Sequence, residues 1–139
     1  LNLERNEITD KGIQALAGSS IITNLKTLHL ERNEIGDAGA IAIAGSTNFS
    51  YLSFINFWKN KVGAEGAKAI ANSTVLVNLK NLDLAQNNIG DEGAKALAES
   101  TSLAELELLE IFGSGLTEEG KKQLKESTVF PKLQTLVVE

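Results

Sequence analysis

Apolar residues return along this chain with a fixed step of 27. In the stretch Asn78–Ala104, Leu79, Leu82 and Leu84 are followed by Asn87, Ile89 and Gly93. The same order appears as Leu25, Leu28, Leu30, Asn33, Ile35, Gly39 and as Leu52, Ile55, Phe57, Asn60, Val62, Gly66. Within each unit two periods alternate. Leu28 and Leu30 stand inward while Thr27, His29 and Glu31 stand outward, the period of two that predicts a short strand. Gly39, Ala40, Ile43 and Ala44 then recur at helical spacing, as the inward stripe of a short helix. Asp10, Asp37 and Asp91 precede these stripes and suit a helix N-cap or first turn. Asn72, in a column with Gly18 and Gly45, is expected as a left-handed residue just past a helix.

A strand and a helix in every unit, repeated in register, predict an α/β fold. It is a right-handed β/α solenoid with a parallel concave sheet and convex helices, in which each unit buries its apolar face against its neighbours. Residues 1–139 read as one domain, with units at about 1–23, 24–50, 51–77, 78–104 and 105–132 and a partial unit 133–139. The first unit starts mid-pattern, so further residues are expected before Leu1. In the last helix Lys121, Gln123 and Lys125 replace the alanines of three columns, as expected of a terminal cap.

Asn6, Asn33, Asn60 and Asn87 form the most constant polar column, with Ser114 in the fifth unit. Where a chain turns out of a strand, backbone groups lose their ladder partners, and leaving one buried and unpaired costs about 1–3 kcal/mol. A side-chain amide both donates and accepts, so stacked asparagines can satisfy the turns of adjoining units. The small Gly and Ala columns are expected to let helices pack closely.

The stretches LKTLHLERNEIGDAGAIAIA and LKNLDLAQNNIGDEGAKALA resemble a leucine-rich repeat of the ribonuclease-inhibitor-like class, and the resemblance covers essentially the whole chain. It implies a horseshoe segment whose concave strand face binds another protein. Vertebrate ribonuclease inhibitors alternate units of 28 and 29 and are rich in Cys, so a uniform 27 without Cys argues against ribonuclease inhibition. Similar arrays occur in NOD-like receptors, Ran GTPase-activating proteins and bacterial effectors.

Composition narrows the function classes. The net charge of −5 opposes a nucleic-acid partner, which needs a basic stripe. No apolar run approaches the roughly 20 residues that span a bilayer. Without Cys there is neither a disulfide nor a thiolate metal site, which fits a reducing compartment, the cytoplasm, or a host cytoplasm for a bacterial effector. Asn48 and Asn72 lie in glycosylation sequons whose better reading is structural. His29 is the only His and has no nucleophile to activate, so no catalytic residue, metal site or cofactor is expected. The neighbouring carboxylates Asp83 and Glu110 are too few to hold a metal.

The aromatic residues carry the functional signal. Five of the seven lie between Phe49 and Trp58. Phe49 and Phe57 fall in core columns, but Phe54 and Trp58 fall in outward strand columns, and two units later the same columns hold Leu108 and Phe112. Strands about 4.8 Å apart put those units about 10 Å apart. Phe54, Trp58, Leu108 and Phe112 are therefore expected to frame Ala85 in a shallow depression, with Asn81 beside it. Asn56, Asp83 and Glu110 rim one side, and Lys59 and Gln86 the other. Exposed rings on a rigid surface are typical contact material for a protein partner; the competing reading has them cover neighbouring side chains. The expected function is protein recognition by a monomer. The alternatives are a GTPase-regulating array, using Arg5, Arg32 or Asn60, and a targeting segment of a larger effector or receptor.

Overall fold

The computed structural model describes residues 1–139. Five three-residue strands, β1 (Thr27–His29), β2 (Phe54–Asn56), β3 (Asn81–Asp83), β4 (Leu108–Glu110) and β5 (Thr135–Val137), pair in parallel in chain order. Their starts keep the step of 27, and equivalent residues pair directly: Thr27 with Phe54, Phe54 with Asn81, Asn81 with Leu108. Five helices alternate with them, α1 (Asp10–Ala17), α2 (Asp37–Gly45), α3 (Ala64–Ala71), α4 (Gly90–Ala98) and α5 (Glu118–Glu126), and each packs on the next. A short 3-10 turn at Thr47–Phe49, absent from the sequence reading, links α2 to β2. The core runs the length of the stack between the two layers, with Leu28, Ile55, Leu82 and Leu109 on the sheet side and Ile43, Ile70 and Leu97 on the helix side fully buried.

The asparagine column works across units. Asn33 Oδ1 accepts from the backbone N–H groups of Asn6 and Ile8 in the preceding unit, at 3.0 and 2.9 Å, while its amide donates to Leu3 O and Leu30 O, both at 2.9 Å. Asn60 accepts from Ile35 N and donates to Leu30 O and Phe57 O, and Asn87 accepts from Val62 N and donates to Phe57 O and Leu84 O. Ser114 fills the role with one hydroxyl, accepting from Asn87 N at 3.2 Å and donating to Leu84 O at 2.7 Å. The Asn6 side chain bonds only to Glu4 O and is exposed. The turn these amides pin is left-handed: Arg5, Arg32, Lys59 and Gln86 have φ of 54–57°, and Gly113 follows them at 65°. Such a backbone costs a non-glycine residue about 1–3 kcal/mol, which the repeated side-chain bonds offset.

A second ladder, unforeseen in the sequence reading, lies at the far ends of the helices. Ser46, Ser73, Ser100 and Ser127 donate at 2.6 Å to the carbonyls of Ala17, Ala44, Ala71 and Ala98, in the last turn of the helix before, where carbonyls lack an intrahelical partner. The sequence signal was present, since these serines also keep the 27-residue step.

Two local expectations are corrected. Asn72 is not left-handed but has φ −103°, and Gly18 has φ −91°; the recurrent left-handed position is the one in the strand-exit turn. The aspartates do lie in the first turn of their own helices, but they cap the next one. Asp10 Oδ1 accepts from Gly36 N and Gly39 N at 2.7 and 2.9 Å, and Asp37 Oδ1 accepts from Gly63 N and Gly66 N at 2.7 and 2.8 Å. That contact adds to close packing at Gly39 and Gly66, where a Cβ would also stand 2.7 Å from Ile35 Cγ2 and from Val62 Cγ1. A Cβ on Gly39 would stand 2.7 Å from Asp10 Oδ1, and one on Gly66 2.8 Å from Asp37 Oδ1.

Candidate functional site

The outward rows of the sheet make the concave surface. One row runs Thr27, Phe54, Asn81, Leu108, Thr135, and the next runs His29, Asn56, Asp83, Glu110, Val137. Because strand alternation sends the intervening Leu and Ile into the core, whatever occupies these rows faces out. Phe54 and Leu108 stand on either side of the shorter Asn81. Together with Asn56, Asp83 and Glu110 they line a cleft of about 140 Å³. Six of the nine residues expected at a partner site are thus gathered in one place.

The other three are not. Trp58, Ala85 and Phe112 belong to the row beyond the strands, where Lys59 N–H donates to Ala85 O and Gln86 N–H to Phe112 O. Ala85 has 0% of its surface exposed, so it is not the floor of a depression. Asn81 and Asp83 form the floor instead. The Trp58 ring lies between cations, with Arg32 Cζ 4.7 Å and Lys59 Nζ 4.8 Å from its centroid, a geometry that favours both partners. His29 is only partly exposed: its ring sits 4.7 Å from that of Phe54, tilted by 37°, and its Nδ1 is 3.1 Å from Glu31 Oε1.

Asn56 and Asp83 also have a backbone task. Asn56 Oδ1 accepts from Trp58 N and Asp83 Oδ1 from Ala85 N, both at 2.8 Å, and Asn2 Oδ1 accepts likewise from Glu4 N at 3.0 Å. Short acceptor side chains in this row close the turn leaving the strand. Glu110 is too long for that bond, and its carboxylate is left to the cleft.

The electrostatics of the cleft are one-sided. Burial, chiefly, and then the charges of Glu110 and Glu31 push the Asp83 carboxyl up to about 6, against the opposing bonds from Ala85 N–H and the Asn56 amide. Glu31 adds a buried oxygen, Oε2, that has no hydrogen-bond partner. Neither Asp83 nor Glu110 belongs to an ion pair, while Lys61, Lys68, Lys80, Lys121, Lys125 and Lys132 each pair with a glutamate elsewhere. No group of three or more His, Asp or Glu side chains is arranged to hold a metal ion. No helix is long and apolar enough to cross a membrane.

Comparison with known proteins follows the same geometry. Among solved structures, an internalin from Listeria monocytogenes superposes with a TM-score of 0.50 at 19% sequence identity. The match covers 88% of this chain and 36% of that one, so this chain spans about a third of the internalin, and the likeness is one of fold. No curated protein matches the chain in sequence. The Leucine Rich repeat family pattern matches residues 1–17, 22–44, 50–71 and 75–98, which together make up more than half of the sequence. With an asparagine turn and a helix in each matched unit, and a strand in each of the last three, the chain belongs to the leucine-rich-repeat family.

Proposed function

We propose that this segment recognises a protein partner through its concave strand face, centred on the cleft between Phe54 and Leu108. One observation carries the reading. These two apolar side chains interrupt an otherwise polar outward row of Thr27, Asn81 and Thr135, and both remain partly exposed. Neither belongs to the core cluster, and apolar side chains set on a rigid sheet suit a contact surface. The Trp58 and Phe112 rings stand beside the cleft and extend the surface without lining it. A helix in every unit and the uniform spacing of 27 support the ribonuclease-inhibitor-like class within the family.

The GTPase-regulating alternative is less well supported. Asn60 is 8% exposed and its amide is committed to backbone groups, while Arg32 is stacked on Trp58. Of its three candidates Arg5 is well exposed, but it is ion-paired with Glu4 at 3.2 Å.

Photo-crosslinking tests the concave reading. A crosslinking amino acid placed at Phe54 or Leu108 should trap a discrete partner from cells that express the protein, whereas one placed at Lys95 on the convex face should not. Trapping from Lys95 alone would move the site to the helices.

A further inference from the structure

The cleft has a chemistry of its own beyond its place on the concave face. Its volume of about 140 Å³ lies below the roughly 300–1,000 Å³ of small-molecule sites, and it suits a single side chain. Two walls are apolar, Phe54 and Leu108, and the remaining lining is amide or carboxylate. The negative charge there is uncompensated. Asp83 and Glu110 face each other from paired positions on β3 and β4 without an ion-pair partner, and Glu31 stands close enough to act on Asp83. The nearest basic groups on the turn row, Arg32 and Lys59, are held against Trp58. His29, from β1, is paired with Glu31. A metal ion would need more ligands than these two carboxylates offer. An apolar channel ending in two unpaired carboxylates matches the shape of an amphipathic cation: a long aliphatic stem with a charged head.

We propose that this cleft receives one lysine or arginine side chain of the protein partner, its stem held between Phe54 and Leu108 and its charged head between Asp83 and Glu110. The inference rests on the concave-face reading above and specifies the partner chemistry at its centre. An arriving cation would relieve the repulsion among Asp83, Glu110 and Glu31, so engagement requires the ionised carboxylates. Binding therefore weakens as pH falls through about 6, where Asp83 takes up a proton.

The test is a titration of the isotope-labelled chain, at pH 7.5 and low salt, with trilysine, trinorleucine and triglutamate peptides, following backbone amide resonances. Trilysine should shift the amides of Phe54–Asn56, Asn81–Asp83 and Leu108–Glu110 and saturate in the millimolar range or below. The two control peptides should leave them in place. Glu110→Gln and Asp83→Asn should each weaken trilysine at least several-fold. Asn at position 83 keeps an acceptor for Ala85 N–H, as Asn56 does for Trp58, so the fold should survive; unchanged spectra outside the cleft verify this. Lowering the pH to 5 should weaken binding to a similar extent. No shift at these amides with 10 mM trilysine, an equal response to trinorleucine, or indifference to both substitutions would overturn the proposal. A blank titration while crosslinks still form from Phe54 removes this inference alone. Crosslinks confined to Lys95 remove the reading beneath it.

Discussion

Asp83 is the residue at which packing and charge conflict most. Its carboxyl is raised from 3.8 to about 6, first by burial and then by Glu110 and Glu31. The folded state therefore holds this proton more tightly than the unfolded chain does. The stability it contributes is present at low pH and is lost as pH rises from about 4 through 6. A shift of that size is worth about 3 kcal/mol in a dry site; with solvent screening of the half-buried side chain, about 1 kcal/mol is expected. Asp83→Asn should thus raise the stability at pH 7.5 by about that amount and match the parent at pH 4, as measured by urea unfolding at both pH values. An advantage that is larger at pH 4 would reverse the sign and refute the assignment. Asn60 and Asn6 give a second contrast within one sequence column. Removing the Asn60 side chain leaves Ile35 N–H without a partner and takes one of two side-chain donors from Leu30 O and from Phe57 O, so Asn60→Ala should cost about 1–3 kcal/mol. Asn6→Ala, which frees only an exposed bond to Glu4 O, should stay within about 0.5 kcal/mol. The asparagine column was legible because one side chain recurs for one reason. The burial of Ala85 was not, because period alone places it in an outward column and cannot show that its surface is fully covered.

At the scale of the element, α4 begins unlike its neighbours. The helices α2 and α3 start after glycines at φ −107° and −108°, each capped by the aspartate of the helix before. Before α4 that aspartate is replaced by Ala64, and no carboxylate reaches Gly90 or Gly93. The helix starts instead from Ile89, with Gly90 at φ +65° and its N–H donating to Ser114 O at 3.0 Å. The break does not spread, since β3 and β4 keep their register. Gly93 is still held to glycine, since a Cβ there would stand 2.5 Å from Ile89 Cγ2 and 3.1 Å from Ala67 Cβ. Ala64→Asp should restore the missing cap, bring Gly90 to the backbone of Gly36 and Gly63, and raise stability by about 0.5–2 kcal/mol. A lower melting temperature in calorimetry would show that the alternative start is already the better one. The strands and helices could be read from periods of two and 3.6, because burial imposes those periods directly. Capping across units could not, because an aspartate at the start of a helix looks the same in sequence whichever helix it serves.

At the scale of the molecule, stability is a sum of units and of seams between neighbours, and the units are unequal. Helix α1 buries only Ile13, α2 and α3 each bury four residues, α4 three, and α5 only Gly120 and Leu124. Both ladders also bond backward: Asn33 serves Leu3 and Ile8, and Ser46 serves Ala17. The first unit is therefore held by the second through these side chains. Opening should begin at the ends and reach β2 and β3 last. Native-state hydrogen exchange should find the strongest protection at the strand-ladder amides of Leu30, Phe57 and Leu84 and in helix α3, and the weakest in residues 1–23 and 128–139. Asn60→Ala should lower protection across all the units, because it cuts a seam that both halves share, whereas Asn6→Ala should affect only the first unit. Uniform protection in the parent chain, or a purely local response to Asn60→Ala, would mean that neighbouring units are not coupled as the two ladders require. The concave cleft lies over β2, β3 and β4, the part of the stack expected to open last, so a partner would meet a surface already rigid before contact.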